Sequence, residues 1–312
     1  MSNFPASPFR ENILSDQVVL ITGGGSGIGY EIGHQLGLHG AAVCIMGRRL
    51  NVLETAVETM KKDGIRAGYC QGDVRDFESC KRAVTSTVEQ FGKLSMLVNN
   101  AAGNFLAPAE NLSAKGFATV MEIDSFGMFH MSTAAFPHLK RTYESQGDAN
   151  ILNITAEFNL PPFFQIHAAA AKMAINSMTK SFALEWADHG IRCNGIAPGP
   201  IANTTGMDKL SGMGGSDPNA KMSAAKDLPR GLGLGMTWDI AMAAVFYASK
   251  AGGYVSGDIM VMDGGGYLRN GLRKNKDGSL KLPREAIINA SKSREREQRK
   301  NATGVAGQKS KL

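Results

Sequence analysis

Residues 22–29 read T-G-G-G-S-G-I-G. They follow an apolar run at 18–21 and precede a helical pattern from Ile28 to about residue 39. Gly23, Gly24, Gly25, Gly27 and Gly29, with Ser26 and Ile28 between them, permit a tight turn and let backbone N–H groups approach an anion at a helix N-terminus. Strand, glycine turn and helix in that order make a dinucleotide site with the pyrophosphate at the turn. Arg48 and Arg49 follow the next apolar run, 42–46. A site for the unphosphorylated nucleotide places a carboxylate there for the ribose 2′-hydroxyl. Arginine instead suits a 2′-phosphate, so the residues point to NADP(H). Asp73 and Val74 end a third run, 67–71, where an aspartate can meet the adenine amino group. Asn99-Asn100-Ala101-Ala102-Gly103 ends a fourth, 96–98, and its small residues let cofactor ribose and backbone lie close together.

These residues need a scaffold, and the pattern supplies one. Helices are expected near 50–62 and 77–91, over a long stretch at 113–143, at about 166–189, and from Thr237 as N-cap to 248. Strands are expected at 151–154, 192–196 and 259–262 beside the four already named. Strands alternating with helices imply an α/β fold, a doubly wound parallel sheet of Rossmann type in one domain with helices on both faces. That domain is expected at 17–270, after an extended N-terminal arm at 1–16 and before a basic, flexible tail at 271–312. Residues 198–236, rich in Gly and Met, are too long for a passive connection. They follow a strand where open sheets bind ligands, and read as a substrate lid.

Apolar residues make up 43% of 312, enough for a sizeable core. The net charge of +6 is uneven: residues 271–312 carry twelve Lys/Arg against four Asp/Glu, or +8, which leaves the rest at −2. The folded part therefore has no basic surplus with which to bind nucleic acid, and the tail lacks interleaved aromatics. The four cysteines have no metal spacing, so no metal is expected and a reducing compartment fits. No leader and no apolar run long enough for a membrane span is apparent, so a soluble, unsecreted protein is expected.

The chain resembles the short-chain dehydrogenase/reductase family over about 17–266. The glycine turn, N-N-A-A-G at 99–103, Lys172, P-G-P-I at 198–201 and D-G-G at 263–265 carry the resemblance, in the family's order. The departures are informative. The family's active-site tyrosine, four residues before the lysine, is Ala168 here; its serine is Thr155, and its asparagine is Asp124 in M-E-I-D-S-F-G. Alanine cannot exchange a proton with a carbonyl oxygen, so ordinary alcohol–ketone chemistry is not expected. One branch, the peroxisomal 2,4-dienoyl-CoA reductases, is similar at 101–106, 121–129, Ala168 and 197–201.

What that resemblance implies is specific. Hydride from NADPH adds at C5 of a 2,4-dienoyl thioester. A water polarised by Asp124 and Lys172 protonates C2, giving a 3-enoyl-CoA, and Asp263 assists from the other side of the site. Lys172 also holds the nicotinamide ribose, and Pro198, Gly199, Ile201 and Thr204 close over the cofactor. Arg48, Arg75 and Lys209 face the phosphates of the acyl-CoA substrate; Phe105, Ser113, Ala114 and Lys115 line its acyl and pantetheine path. His167, beside the tyrosine position, reads as a packing or substrate-lining residue. The long helices 113–143 and 166–189 are expected to join copies into a dimer or tetramer. Ser310-Lys311-Leu312 spells an address read by the peroxisomal import receptor, or by that of a glycosome-type organelle.

Overall fold

The computed structural model describes residues 5–156, 162, 164–204 and 234–269. Most of the expected lid, with Lys209, and the tail with its final tripeptide lie outside the described residues. The chain divides after Tyr267 into two units, and the sheet with its helices belongs to the first, Met1–Tyr267.

The described residues form seven strands: β1 (Val18–Thr22), β2 (Ala42–Gly47), β3 (Ala67–Gln71), β4 (Met96–Asn99), β5 (Ala149–Ile154), β6 (Ile191–Pro198) and β7 (Ile259–Met262). All pair in parallel, in the order β3-β2-β1-β4-β5-β6-β7. The α-helices among the described residues are α1 (Gly27–Leu38), α2 (Leu50–Lys62), α3 (Phe77–Phe91), α4 (Ala114–Met121), α5 (Gly127–Gln146), α6 (Ile166–Glu185) and α7 (Thr237–Ala248). This is the expected doubly wound α/β fold. The strand order reverses between β1 and β4, and a crevice opens at their carboxyl ends.

Each strand feeds two cores because its side chains alternate. Val19, Ile21, Val43 and Ile45 pack with Ile32 and Leu36 of α1 and with Ile240 and Val245 of α7. Leu20, Cys44 and Met46 face the other way, onto Val84 of α3, Leu139 of α5 and Ile175 of α6. Burial on both faces explains why β1, V-V-L-I-T, is almost wholly apolar. Cys44, Cys80 and Cys193 are buried in this packing, which pushes their thiols up to about 12. They are space-filling residues, and the described residues hold no cluster able to bind a metal.

Three boundaries differ from expectation. The stretch 113–143 is not one regular helix: five residues, Glu122–Phe126, form a π-type turn between α4 and α5. The N-cap of α7 is Met236, not Thr237; the Asp239 carboxylate accepts from the Met236 N–H at 2.7 Å and closes the first turn from inside. The segment before β1 is tied to the fold: Leu14 is buried in the core, and Ser7 Oγ lies 2.7 Å from Nε2 of buried His39.

Candidate active site

The glycine turn is held from across the crevice. The Thr22 hydroxyl, at the end of β1, accepts the N–H groups of Asn100 and Ala101, each at 3.0 Å. Asn100 Nδ2 returns bonds to the Thr22 carbonyl (3.0 Å) and the Gly23 carbonyl (3.2 Å). β1 and β4 are thereby fixed to each other where the chain turns away into α1. Gly23 (φ +66°) and Gly27 (φ +58°) take left-handed conformations that side chains disfavour. At Gly29 the limit is space: a Cβ there would lie 2.6 Å from the Gly23 carbonyl oxygen.

A cleft of about 550 Å³ opens above this turn, in the range of small-molecule sites. Gly23, Gly25, Ser26, Gly27 and Ile28 of the turn line it together with Arg48, Arg49, Asp73, Val74, Asn100, Ala101, Ala102 and Thr204. A cradle built of positions without side chains, at a helix N-terminus with two arginines beside it, fits a phosphorylated dinucleotide. Arg48 and Arg49 are exposed. Arg75 is engaged by Asp73: Nη2 lies 2.6 Å and Nε 3.0 Å from Oδ2. These bonds hold the Asp73 carboxyl below the usual carboxylate range. The two residues expected to meet adenine and substrate phosphate therefore meet each other in this structure.

The proton side lies across the crevice. The π-type turn adds a residue to the helical path and carries Asp124 inward, where it is 2% exposed. Its Oδ1 accepts the Gly103 N–H at 2.7 Å, and its Oδ2 lies 3.2 Å from Lys172 Nζ. Lys172, on the second turn of α6, also donates to the Ile154 carbonyl at 3.1 Å. A void of about 10 Å³ beside Asp124 is lined by Thr22 and Asn99 and otherwise mostly by apolar residues, Val74, Ile123, Met128, Ile154 and Ile175 among them. The Thr155 hydroxyl, at the position of the expected serine, donates to the Lys172 carbonyl at 3.3 Å, so it anchors α6. Ala168 is buried against Val120 and Ala171.

A family model described as short chain dehydrogenase matches residues 17–213. The chain belongs to the short-chain dehydrogenase family. Its members are oxidoreductases, and this chain is one. It is 44% identical over 305 residues to the peroxisomal 2,4-dienoyl-CoA reductase [(3E)-enoyl-CoA-producing] of Arabidopsis thaliana, covering 96% of this chain and 98% of that one. It is 38% identical over 270 residues to the mouse (Mus musculus) protein of the same name, covering 85% and 89%. A probable 2,4-dienoyl-CoA reductase [(2E)-enoyl-CoA-producing] of Bacillus subtilis is 35% identical over 257 residues, covering 82% and 98%. Among solved structures, a short chain dehydrogenase of Bacillus anthracis matches with a TM-score of 0.70 at 35% identity, over 82% of this chain and 99% of that one.

The remaining expected residues of this short-chain dehydrogenase differ in what holds them. Gly24 is buried against Ile45, so it serves packing below the cleft. Pro198 ends β6, and the Gly199 N–H donates to the Met262 carbonyl at 3.0 Å. Ile201 is buried, and its carbonyl accepts from the Thr204 hydroxyl at 3.1 Å. Asp263 uses both carboxylate oxygens on its own turn, accepting the N–H groups of Gly265 (2.8 Å) and Tyr267 (2.6 Å). Those bonds fit a turn cap, and no described bond joins Asp263 to Asp124 or Lys172. Ser113 caps α4, accepting the Gly116 N–H at 3.0 Å, while Ala114 and Lys115 are exposed on its first turn. Phe105 is half-exposed and stacks on His167.

Four participants carry no mark that pattern alone picks out: the Thr22 hydroxyl, the Ile154 carbonyl, and the Asn104–Gln165 pair (2.6 Å) that ties the loop after β4 to the start of α6. Thr22 is the most legible of them, as the residue that opens the glycine motif. A backbone carbonyl leaves no trace in sequence, and a pair 61 residues apart has no local signal.

Proposed function

We propose that the protein is an NADPH-dependent 2,4-dienoyl-CoA reductase producing a 3-enoyl-CoA. The observation that carries this reading is the buried Asp124–Lys172 pair beside Ala168. A site with alanine at the tyrosine position lacks the phenol that exchanges a proton with a carbonyl oxygen, but it retains a carboxylate and an ammonium able to orient a water. A conjugated dienoyl thioester needs that arrangement, because its proton goes to carbon. The names of the relatives point the same way.

Bound in the cleft, NADPH supplies the hydride. The Gly23–Gly29 turn holds its pyrophosphate, and Arg48 and Arg49 hold the 2′-phosphate. Lys172, with its Nζ fixed by Asp124 and the Ile154 carbonyl, presents its remaining hydrogen-bonding capacity to the nicotinamide ribose and to a water. Asp124, fixed by the Gly103 N–H, orients that water toward C2 of the substrate. The ammonium also stabilises the negative charge that develops on the thioester. Asp263 joins this machinery only by giving up its turn-capping bonds. Arg75 reaches a phosphate of the CoA only by leaving Asp73.

The test is NADPH consumption with 2,4-hexadienoyl-CoA and 2,4-decadienoyl-CoA, with the product isomer identified by chromatography. A 2-enoyl product would move the chain toward the Bacillus subtilis relative. Nucleotide binding without turnover of any dienoyl- or enoyl-CoA would leave an inert member of the family.

Replacing Arg48 and Arg49 together with alanine is expected to reduce the preference for NADPH over NADH by about 10–100-fold, the worth of lost bonds to one charged group. The rate with NADH should stay where it was; an equal loss with both nucleotides would place the arginines away from the 2′-phosphate. For location we propose the peroxisome, addressed by Ser310-Lys311-Leu312. A fluorescent protein fused after Leu312 is expected to leave the product cytosolic, whereas the same fusion before Met1 should enter the organelle. Assembly is proposed through α5 and α6, whose large apolar side chains Phe129 (46%), Met173 (49%) and Leu184 (79%) are exposed. A monomeric mass by light scattering would refute it.

A further inference from the structure

His167 is the second residue of α6 and immediately precedes Ala168. It is 0% exposed, and neither Nδ1 nor Nε2 makes a well-formed hydrogen bond among the described residues, the Phe105 backbone being near enough only to favour the charged ring. A neutral imidazole carries one donor and one acceptor, and leaving both unmet in a protein interior is costly. A packing role alone would be filled at lower cost by phenylalanine or leucine. The other buried imidazole among the described residues shows the contrast: His39 meets Ser7 Oγ at 2.7 Å through Nε2 and the Gln35 carbonyl at 2.6 Å through Nδ1. An unmet buried polar group calls for an explanation, and beside an active site a ligand that supplies the partner is one.

The cover over His167 is equally particular. The Phe105 ring stacks on the imidazole with centroids 4.3 Å apart and planes 29° apart, and it is itself 38% exposed. Its loop is anchored to the residues before α6 by the Asn104–Gln165 bond and by the Ala107 N–H on the Phe164 carbonyl at 2.9 Å. The same loop begins at Gly103, whose N–H holds Asp124. Thus one short segment touches both the buried imidazole and the proton side of the site. Burial holds the His167 pKa below its ordinary value, against the Phe105 backbone and the Asp124 charge. At neutral pH the ring is uncharged, with one N–H to donate.

We propose that His167 N–H donates a hydrogen bond to the thioester carbonyl oxygen of the bound acyl-CoA, which the oxygen reaches when the acyl group takes the place of the Phe105 ring. The inference rests on the dienoyl-CoA reading, and it supplies what Ala168 lacks, a donor for that oxygen. The step balances without proton transfer from His167. The hydride forms the C5–H bond; the π electrons move from C4=C5 to C3=C4 and from C2=C3 to C1=C2, and the carbonyl pair comes to rest on oxygen. Water then gives a proton to form the C2–H bond as its own O–H bond breaks, the hydroxide left behind takes a proton from solvent, and the oxygen returns its pair to C1. His167 stabilises the charge on oxygen between these two events.

The experiment compares wild type with His167→Phe and His167→Gln. It reads Tm, NADPH affinity, kcat and KM with 2,4-hexadienoyl-CoA, and the infrared carbonyl band of that thioester labelled with ¹³C and bound to the protein. His167→Phe keeps the stack and removes the orphaned nitrogens. It should hold or raise Tm and leave NADPH affinity unchanged, yet lower kcat by about 10²–10³-fold, the usual loss for one oxyanion donor. The bound carbonyl band, shifted down in wild type, should return to its position in water. His167→Gln, which keeps a donor, should retain most of the shift and the rate. A His167→Phe protein with wild-type kcat and an unmoved band overturns the assignment, as does loss of Tm and NADPH affinity in both variants, the signature of packing. Wild type that never turns over a dienoyl-CoA overturns the reductase reading instead; the band of the bound thioester then still shows whether His167 touches its oxygen.

Discussion

Asp124→Ala is expected to lower kcat with dienoyl-CoA by about 10²–10⁴-fold, the range for a positioned proton-transfer group. It should also destabilise the fold. Asp124 and Lys172 have side chains only 1% and 11% exposed, so removing the carboxylate leaves an ammonium buried with the Ile154 carbonyl as its remaining partner. Breaking such a pair costs about 3–5 kcal/mol. The Gly103 N–H loses its acceptor in the same change. The two effects are separated by Asp124→Asn. Asparagine keeps the shape and an oxygen for the Gly103 N–H but carries no charge. We expect Asp124→Asn to cost less stability than Asp124→Ala, because the Gly103 N–H keeps its acceptor while the Lys172 ammonium still loses its counter-charge, and to lose most of the turnover that Asp124→Ala loses. Single-turnover kinetics with prebound NADPH would check this, because they exclude nucleotide binding from the measured rate. An asparagine variant at full speed would mean that the carboxylate's charge is not what moves the proton.

The sequence discloses the order of strands and helices because each strand is buried on both faces and reads as an apolar run, while α2 and α3 show plain 3.6-residue patterns. It discloses the glycine turn because no other residue type satisfies a left-handed φ at both Gly23 and Gly27 without strain. The inward swing of Asp124 is not disclosed. A π-type turn inserts one residue into a helix whose local sequence, M-E-I-D-S-F-G, has ordinary helical character, and the partners Asp124 meets there, Gly103 and Lys172, come from two other elements. The pairing of Asp73 with Arg75 also escapes, although the residues are two apart. Each has an evident partner in a bound ligand, and their pattern assigns both outward. In the protein alone their opposite charges meet first. His167 reads as lining because its type says nothing of its surroundings; its unmet nitrogens appear only once Phe105 is folded over it.

Gly29→Ala carries the second large effect, on nucleotide binding. The added methyl would overlap Asn100 Nδ2 and stand 2.6 Å from the Gly23 carbonyl oxygen. Relief requires Asn100 to leave, and Asn100 is what joins β4 to the turn through the Thr22 and Gly23 carbonyls. The turn would then shift by an appreciable part of an ångström, at the point where backbone N–H groups must meet a pyrophosphate. A displacement of that order costs about 10² in a positioned interaction, so the Kd for NADPH should rise about 100-fold. Gly64→Ala serves as the control. Its glycine has φ +80° with nothing within 4 Å, so it should cost about 1–2 kcal/mol of backbone strain and leave the Kd alone. The double variant Gly29→Ala with Asn100→Ala tests the route. Without the Asn100 side chain one overlap disappears but the one with the Gly23 carbonyl stays, so the two losses should combine less than additively. Full additivity would show that Gly29 and Asn100 support the nucleotide independently, and that the β1–β4 staple is not how the glycine acts.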